Sequence, residues 1–139
     1  MSKKEFTGRC HCGDIRFSFV SEDITEGLRC SCSICIRKGA VMSKKRIPTE
    51  DFRPHTNMEL LTDYRWNDRM VNHLFCKNCG IYPYHGGGDY GYRVNLGCVE
   101  QIDPLSLNIT VYDGKSMPLA ENPGPHPGPT DSFQTPAEE

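Results

Sequence analysis

Three short cysteine clusters constrain this chain more than any other feature: Cys10-His11-Cys12, Cys30-Ser31-Cys32-Ser33-Ile34-Cys35 and Cys76-Lys77-Asn78-Cys79. The middle cluster puts three thiols within six positions and brings no fourth ligand of its own. Zinc takes four tetrahedral ligands at about 2.1 to 2.3 Å, and a site with three protein ligands leaves its last position to water or substrate. Two readings of Cys30, Cys32 and Cys35 follow. Either they form an open zinc site, or Cys98 or a more distant cysteine joins them in a closed four-cysteine knot.

The other clusters come as halves. Cys10 and Cys12 lie between Gly8 and Gly13, whose lack of a side chain lets the backbone fold back on a metal. Cys76 and Cys79, followed by Gly80, have the spacing of a zinc knuckle. Together the two halves make a four-thiolate site that ties the start of the chain to its middle. Such a site has no vacancy for chemistry and contributes to folding, so it is expected to be structural. This pairing leaves Cys30, Cys32 and Cys35 as the open trio, and Cys98 as a small buried hydrophobe.

With 139 residues there is room for one domain. The segment 1–8 is charged and polar with no apolar run behind it, so the sequence predicts neither a signal peptide nor a membrane span, and a cytoplasmic protein. In a reducing compartment, eight cysteines are metal ligands or redox groups and not a disulfide framework. The formal charge is −2, and seven thiolates on two zinc ions would take it to about −5, which disfavours nucleic acid as a partner.

Hydrophobic alternation is of the strand type throughout. Ile15, Phe17 and Phe19 alternate with Arg16 and Ser18; Met58 to Trp66 and Val71 to Phe75 read as a hairpin; Ile81 to His85, Tyr92 to Leu96, and Leu107 to Val111 read as further strands. A short strand is expected after the trio, and a single helical turn at Pro48 to Phe52. No stretch carries a 3.6-residue stripe of helical length. The predicted fold is therefore mainly β, with residues 1–116 as the domain and 117–139 as a Pro/Gly-rich tail. Five basic residues, Arg37, Lys38, Lys44, Lys45 and Arg46, follow the trio, read either as a solvated edge strand or as an anion-docking rim beside the metal.

Gly8 to Gly13 (G-x-C-H-C-G), Cys30 to Cys35 (C-x-C-x-x-C) and Phe75 to Gly80 (F-C-x-x-C-G) together resemble the glutathione-dependent formaldehyde-activating enzyme and centromere protein V family, over about residues 5 to 115. The resemblance implies a zinc-ribbon-like fold of small antiparallel sheets. It implies two zinc ions per chain: a structural one on Cys10, Cys12, Cys76 and Cys79, and a catalytic one on Cys30, Cys32 and Cys35. The implied activity is that of a carbon–sulfur lyase adding glutathione to formaldehyde, its partners a small-molecule thiol and an aldehyde. Ile81 to His85 depart from the family pattern, where a threonine and apolar residues are common, and Cys98 is extra.

The chemistry agrees with that implication. Three thiolates leave a zinc unit with a net charge of −1, a weaker Lewis acid than a three-histidine zinc but a good host for a substrate thiol, which stays nucleophilic there. Attack on an aldehyde then requires a proton for the new alkoxide, and His85, Tyr84 and His11 are donors by type. Two other classes compete. A non-catalytic zinc-stabilised module would dock a protein or nucleic acid on Tyr64, Trp66, Tyr82, Tyr84, Tyr90 and Tyr92; a methionine sulfoxide reductase-like enzyme would use Cys98 as its thiol.

Overall fold

The structure is a computed structural model that describes residues 3–56, 58–65 and 72–114. The tail assigned to 117–139, and Trp66 and Val71 of the expected hairpin, lie outside the described residues. Ten strands form three small sheets, with one six-residue α-helix among the described residues.

The first sheet pairs β1 (Lys4–Arg9) with β2 (Arg16–Ser21) as an antiparallel hairpin, Phe6 opposite Phe19 and Gly8 opposite Phe17. β3 (Glu26–Cys30) leads to the trio and belongs to a second sheet. A strand was expected next, but helix α1 (Ser33–Lys38) intervenes before β4 (Met42–Ser43). The thiol explains the difference. Cys32 is the residue preceding the helix, its Sγ accepts the Cys35 N–H at 3.4 Å, and Gly39, at φ 68°, ends the helix by returning its N–H to the Cys35 carbonyl. A turn at Thr49–Asp51, as predicted, precedes β5 (Phe52–Pro54), which completes the first sheet beside β2.

The third sheet is β6 (Leu61–Arg65), β7 (Asn72–Cys76), β8 (Tyr84–Gly87) and β9 (Gly91–Val94), antiparallel in chain order. Met58–Leu60 forms a 3-10 turn and not the start of β6. β8 starts later than the alternation suggests, because Ile81 closes the cysteine knuckle with its carbonyl on the Cys76 N–H and Pro83 has no N–H for a ladder. β9 stops at Val94, where Asn95 caps a 3-10 turn over Leu96–Cys98. β10 (Asn108–Tyr112) joins β3 in parallel, the exception to the antiparallel pairing; Tyr112 sits opposite Cys30, and its carbonyl accepts the Ser31 N–H at 3.0 Å.

The core lies between the first and third sheets. Ser18, expected to face outward, is buried and pairs with His55 Nε2 at 2.8 Å, whereas Ile15, Phe17 and Phe19 are at most 1% exposed, as the alternation predicts. Their rings join a continuous aromatic stack: Phe17 to Phe52 at 5.6 Å, Phe52 to Tyr92 at 4.0 Å, and Tyr84 edge-on to Phe52 at 4.8 Å. β1 was not anticipated, since only Phe6 and Gly8 of its residues point inward. Gly8 is required by packing, because the Phe17 ring fills the space where a Cβ would stand. Gly8→Ala is accordingly expected to lower stability by about 1 to 3 kcal/mol through overpacking, measured by urea unfolding; an unchanged midpoint would contradict this packing.

Candidate metal centres and the adjoining cavity

Cys10 follows β1, Cys12 lies in the turn before β2, Cys76 ends β7 and Cys79 closes the knuckle. Their four sulfur atoms lie within 4.8 Å of one another, with Cys10 to Cys12 at 3.6 Å and Cys12 to Cys76 at 3.7 Å. Four sulfurs at 2.3 Å from a common centre stand about 3.8 Å apart. The arrangement thus fits a tetrahedral ion. Backbone N–H groups point at three of the sulfurs, from Ile15 to Cys10 at 3.3 Å, from Asp14 to Cys12 at 3.4 Å and from Cys79 to Cys76 at 3.5 Å, although burial still pushes the Cys76 thiol up to about 11.

Cys30, Cys32 and Cys35 form the second group, also with their sulfurs within 4.8 Å. Among the described residues, this group of mutually close His, Cys, Asp and Glu ligand atoms stops at three. It is built by the end of β3 and the first turn of α1, and covered from one side by Gly114, where a Cβ would run into Cys30 Sγ and Cys32. Burial pushes the Cys32 thiol up, but the Cys35 N–H and further hydrogen bonds from Cys35 and Cys30 outweigh it, so its net shift is downward. Cys98 belongs to neither group. It is buried in the core, its thiol pushed up to about 12 by burial and then by the Cys10 and Cys79 sulfurs, and it stands on the side of the first cluster.

Beside the trio is a cavity of roughly 1110 Å³. Its wall takes Arg37 and Lys38 from α1, Thr62 and Tyr64 from β6, Phe75 from β7, and Tyr82. The three thiols are not themselves in that wall; Lys38 and Tyr82 are the lining side chains on which their charges act. The five cations read as one segment are split by the fold. Arg37 and Lys38 face this cavity, while Lys44 pairs with Glu26 at 2.9 Å, Lys45 approaches Glu22 at 3.8 Å, and Arg46 stacks on Tyr90, around a different depression.

A buried polar cluster missed in the sequence lies against the cavity. Lys38 Nζ is 3.0 Å from His73 Nδ1 and 3.6 Å from the centre of the Tyr82 ring. The Tyr82 hydroxyl pairs with His85 Nδ1, and His73 and His85 face each other across β7 and β8. Burial, opposed by the thiols, brings the Lys38 amine down to about 8. Burial and then Lys38 hold His73 at about 3 and drive His85 down as well, so both rings are neutral at pH 7. Burial and then Cys35 raise the Tyr82 hydroxyl well above its usual range. Of the donors expected by type, Tyr84 is in the aromatic core, His11 is exposed beside the first cluster, and His85 is in this network. The spacing of Lys38 three positions after Cys35 was the available signal for the lysine.

A family model described as glutathione-dependent formaldehyde-activating enzyme matches residues 5–114. The chain belongs to that family. Among solved structures, this formaldehyde-activating family member is similar to a crystal structure of a Rhodobacter sphaeroides protein, at 32% identity and a TM-score of 0.64, over 75% of this chain and 99% of the other. No helix among the described residues is long and apolar enough to cross a membrane.

The neutral histidines have a consequence for stability. Below its ordinary value of 6.5, His73 binds a proton in the unfolded chain and not in the folded one. Its contribution is therefore complete above pH 6.5 and is lost as pH falls from 6.5 toward about 3. One pH unit below 6.5 the loss is about 1.4 kcal/mol. In urea unfolding with zinc present, the drop in stability from pH 7.5 to 5.5 is expected to be about 1 kcal/mol smaller in His73→Gln than in the unsubstituted protein. Equal drops would show that His73 is protonated in the folded state.

Proposed function

We propose that this family member is a zinc-dependent carbon–sulfur lyase-type enzyme that joins a glutathione-like thiol to formaldehyde or a similar small aldehyde, and also runs the reverse reaction. The observation that carries this reading is the trio of mutually close thiols that stops at three ligands beside a large cavity. In this reading Cys10, Cys12, Cys76 and Cys79 hold a structural zinc and Cys30, Cys32 and Cys35 a catalytic one. A zinc ion on the trio supplies a fourth position at which a thiol gives up its proton yet stays nucleophilic.

The chain's own residues complete the site. Arg37 lines the cavity one turn along the helix from the trio, and offers a cation to the carboxylates of glutathione; Phe75 and Tyr82 give the cavity apolar walls that exclude water. The binding-module reading finds less support among the described residues, where Tyr82 and Tyr84 are buried and Tyr64, Tyr90 and Tyr92 are half-buried; Trp66 lies outside them.

Calorimetric titration with glutathione and with mercaptoethanol, together with detection of the hydroxymethyl adduct from carbon-13 formaldehyde, tests the reading. Cys32→Ser is expected to stay folded, lose one zinc and lose both thiols, whereas Cys76→Ser is expected to unfold or melt far lower. Arg37→Glu is expected to weaken glutathione more than mercaptoethanol, by about 1 kcal/mol or less, and less still at high salt. Lys44→Glu with Lys45→Glu should affect the two thiols alike. Glutathione affinity unchanged by Cys32→Ser, or no adduct from the zinc-loaded protein, would overturn the proposal.

A further inference from the structure

Lys38 is unusual among the cations of this chain. Its side chain is half-buried, projects from the helix that carries Cys35, and forms part of the cavity wall. Lys3, Lys4, Lys44 and Lys45, by contrast, are each paired with a carboxylate. Among the described residues Lys38 has no carboxylate partner; its contacts are His73 Nδ1 and the Tyr82 ring. One N–H of the ammonium is spent on His73 and the Tyr82 face covers another side, so the group is held in place with donor capacity left over.

A half-buried cation with no carboxylate beside it is favoured by anything nearby that needs positive charge. Two things do under the function proposed above: the net negative charge of a trithiolate zinc, and the oxygen of an aldehyde under attack. Lys38 follows Cys35 by three positions on α1, so the two side chains are neighbours along one face of the helix that carries the trio's last thiol. The two histidines beside it are neutral, and Arg37 is a second cation on the same wall. His73 on β7 and His85 on β8 are held unprotonated, and the Tyr82 hydroxyl is engaged with His85; Arg37 and Tyr64 line the same cavity.

We propose that Lys38 is the acid of the reaction, the catalytic residue whose ammonium donates to the aldehyde oxygen as the carbon–sulfur bond forms. This rests on the reading of Cys30, Cys32 and Cys35 as a thiol site. The sulfur electron pair forms the bond to carbon, the C=O π pair moves onto oxygen, and that oxygen takes a proton from Lys38 Nζ. The amine left behind takes up the proton that the thiol releases. The sum is thiol plus aldehyde giving a hydroxyalkyl thioether, with no net proton gained or lost, and the reverse reaction uses the same group as base. An amine lowered to about 8 is suited to this exchange, since it lies close to the ordinary range of a thiol. His73, through its acceptor nitrogen, is the positioning residue for Lys38.

The test compares zinc-loaded protein with its Lys38→Met variant for zinc per chain, glutathione affinity by calorimetry, and kcat and KM for adduct formation from glutathione and carbon-13 formaldehyde. The variant is expected to keep both zinc ions and a glutathione affinity within about threefold, while kcat falls about 100-fold or more. A second arm needs no variant. Formaldehyde with cyanoborohydride methylates the amines it reaches, and peptide mass mapping of the unsubstituted protein is expected to find Lys38 modified ahead of the exposed Lys44 and Lys45, because a lowered amine is more often unprotonated near pH 7.5. An undiminished kcat in Lys38→Met, or a Lys38 still unmodified after Lys44 and Lys45 have reacted, would overturn the assignment; should the variant fail to fold, the second arm decides it. Unsubstituted protein that neither binds glutathione nor forms the adduct overturns the function reading and this inference with it, whereas normal turnover alongside an unaffected variant overturns this inference alone.

Discussion

Seven sulfur atoms are gathered into two groups, each within 4.8 Å, from segments far apart in the chain. Everything else about the molecule is arranged around that gathering. The first group joins the turn of the β1–β2 hairpin to the end of β7, two separate sheets that otherwise meet through the aromatic core. Sheets of three or four short strands bury modest apolar area, and a four-sulfur tie supplies a cross-link that such a fold otherwise lacks. The backbone N–H groups aimed at Cys10, Cys12 and Cys76 show that the loops are wrapped around the sulfurs.

The second group has a different environment. It sits at the junction of β3, α1 and the end of β10, with a glycine pressed against it and a cavity at its flank. Its sulfurs begin and cap the helix, so the same residues that offer ligands also set the direction in which Arg37 and Lys38 project. Positive charge is thereby delivered to the side where a trithiolate metal would be electron-rich, and the neighbouring histidines are kept neutral by burial. Under the proposed function, one short helix therefore positions ligands, substrate cation and acid.

The readable part of this arrangement was the part written in spacing. The pairing of Cys10 and Cys12 with Cys76 and Cys79 follows from two-residue halves, and the separateness of Cys98 from its isolation; the phenylalanine alternation in β2 marks the core directly. What escaped depended on tertiary contacts. Helix α1 is only six residues long and is capped by a thiol, which no pattern of apolar residues signals. Lys38 looks like one member of a surface run until the fold separates it from Lys44 and Lys45. The facing of His73 and His85 depends on where β8 begins, which Pro83 and the Ile81 knuckle contact delay beyond what alternation predicts. The parallel pairing of β10 with β3 joins distant parts of the chain and has no local signal at all.

The central claim is that one sulfur group is closed and the other open, and zinc-edge X-ray absorption on the fully loaded protein measures this directly. Seven sulfurs shared by two ions give an average of 3.5 sulfurs per zinc at about 2.3 Å, with the balance made up by a lighter atom. Saturating glutathione should raise that average to 4, as its sulfur takes the open position. An average of 4 before any thiol is added would mean that a further cysteine closes the trio, and a single zinc per chain would mean that Cys30, Cys32 and Cys35 hold no metal; either result would contradict the account.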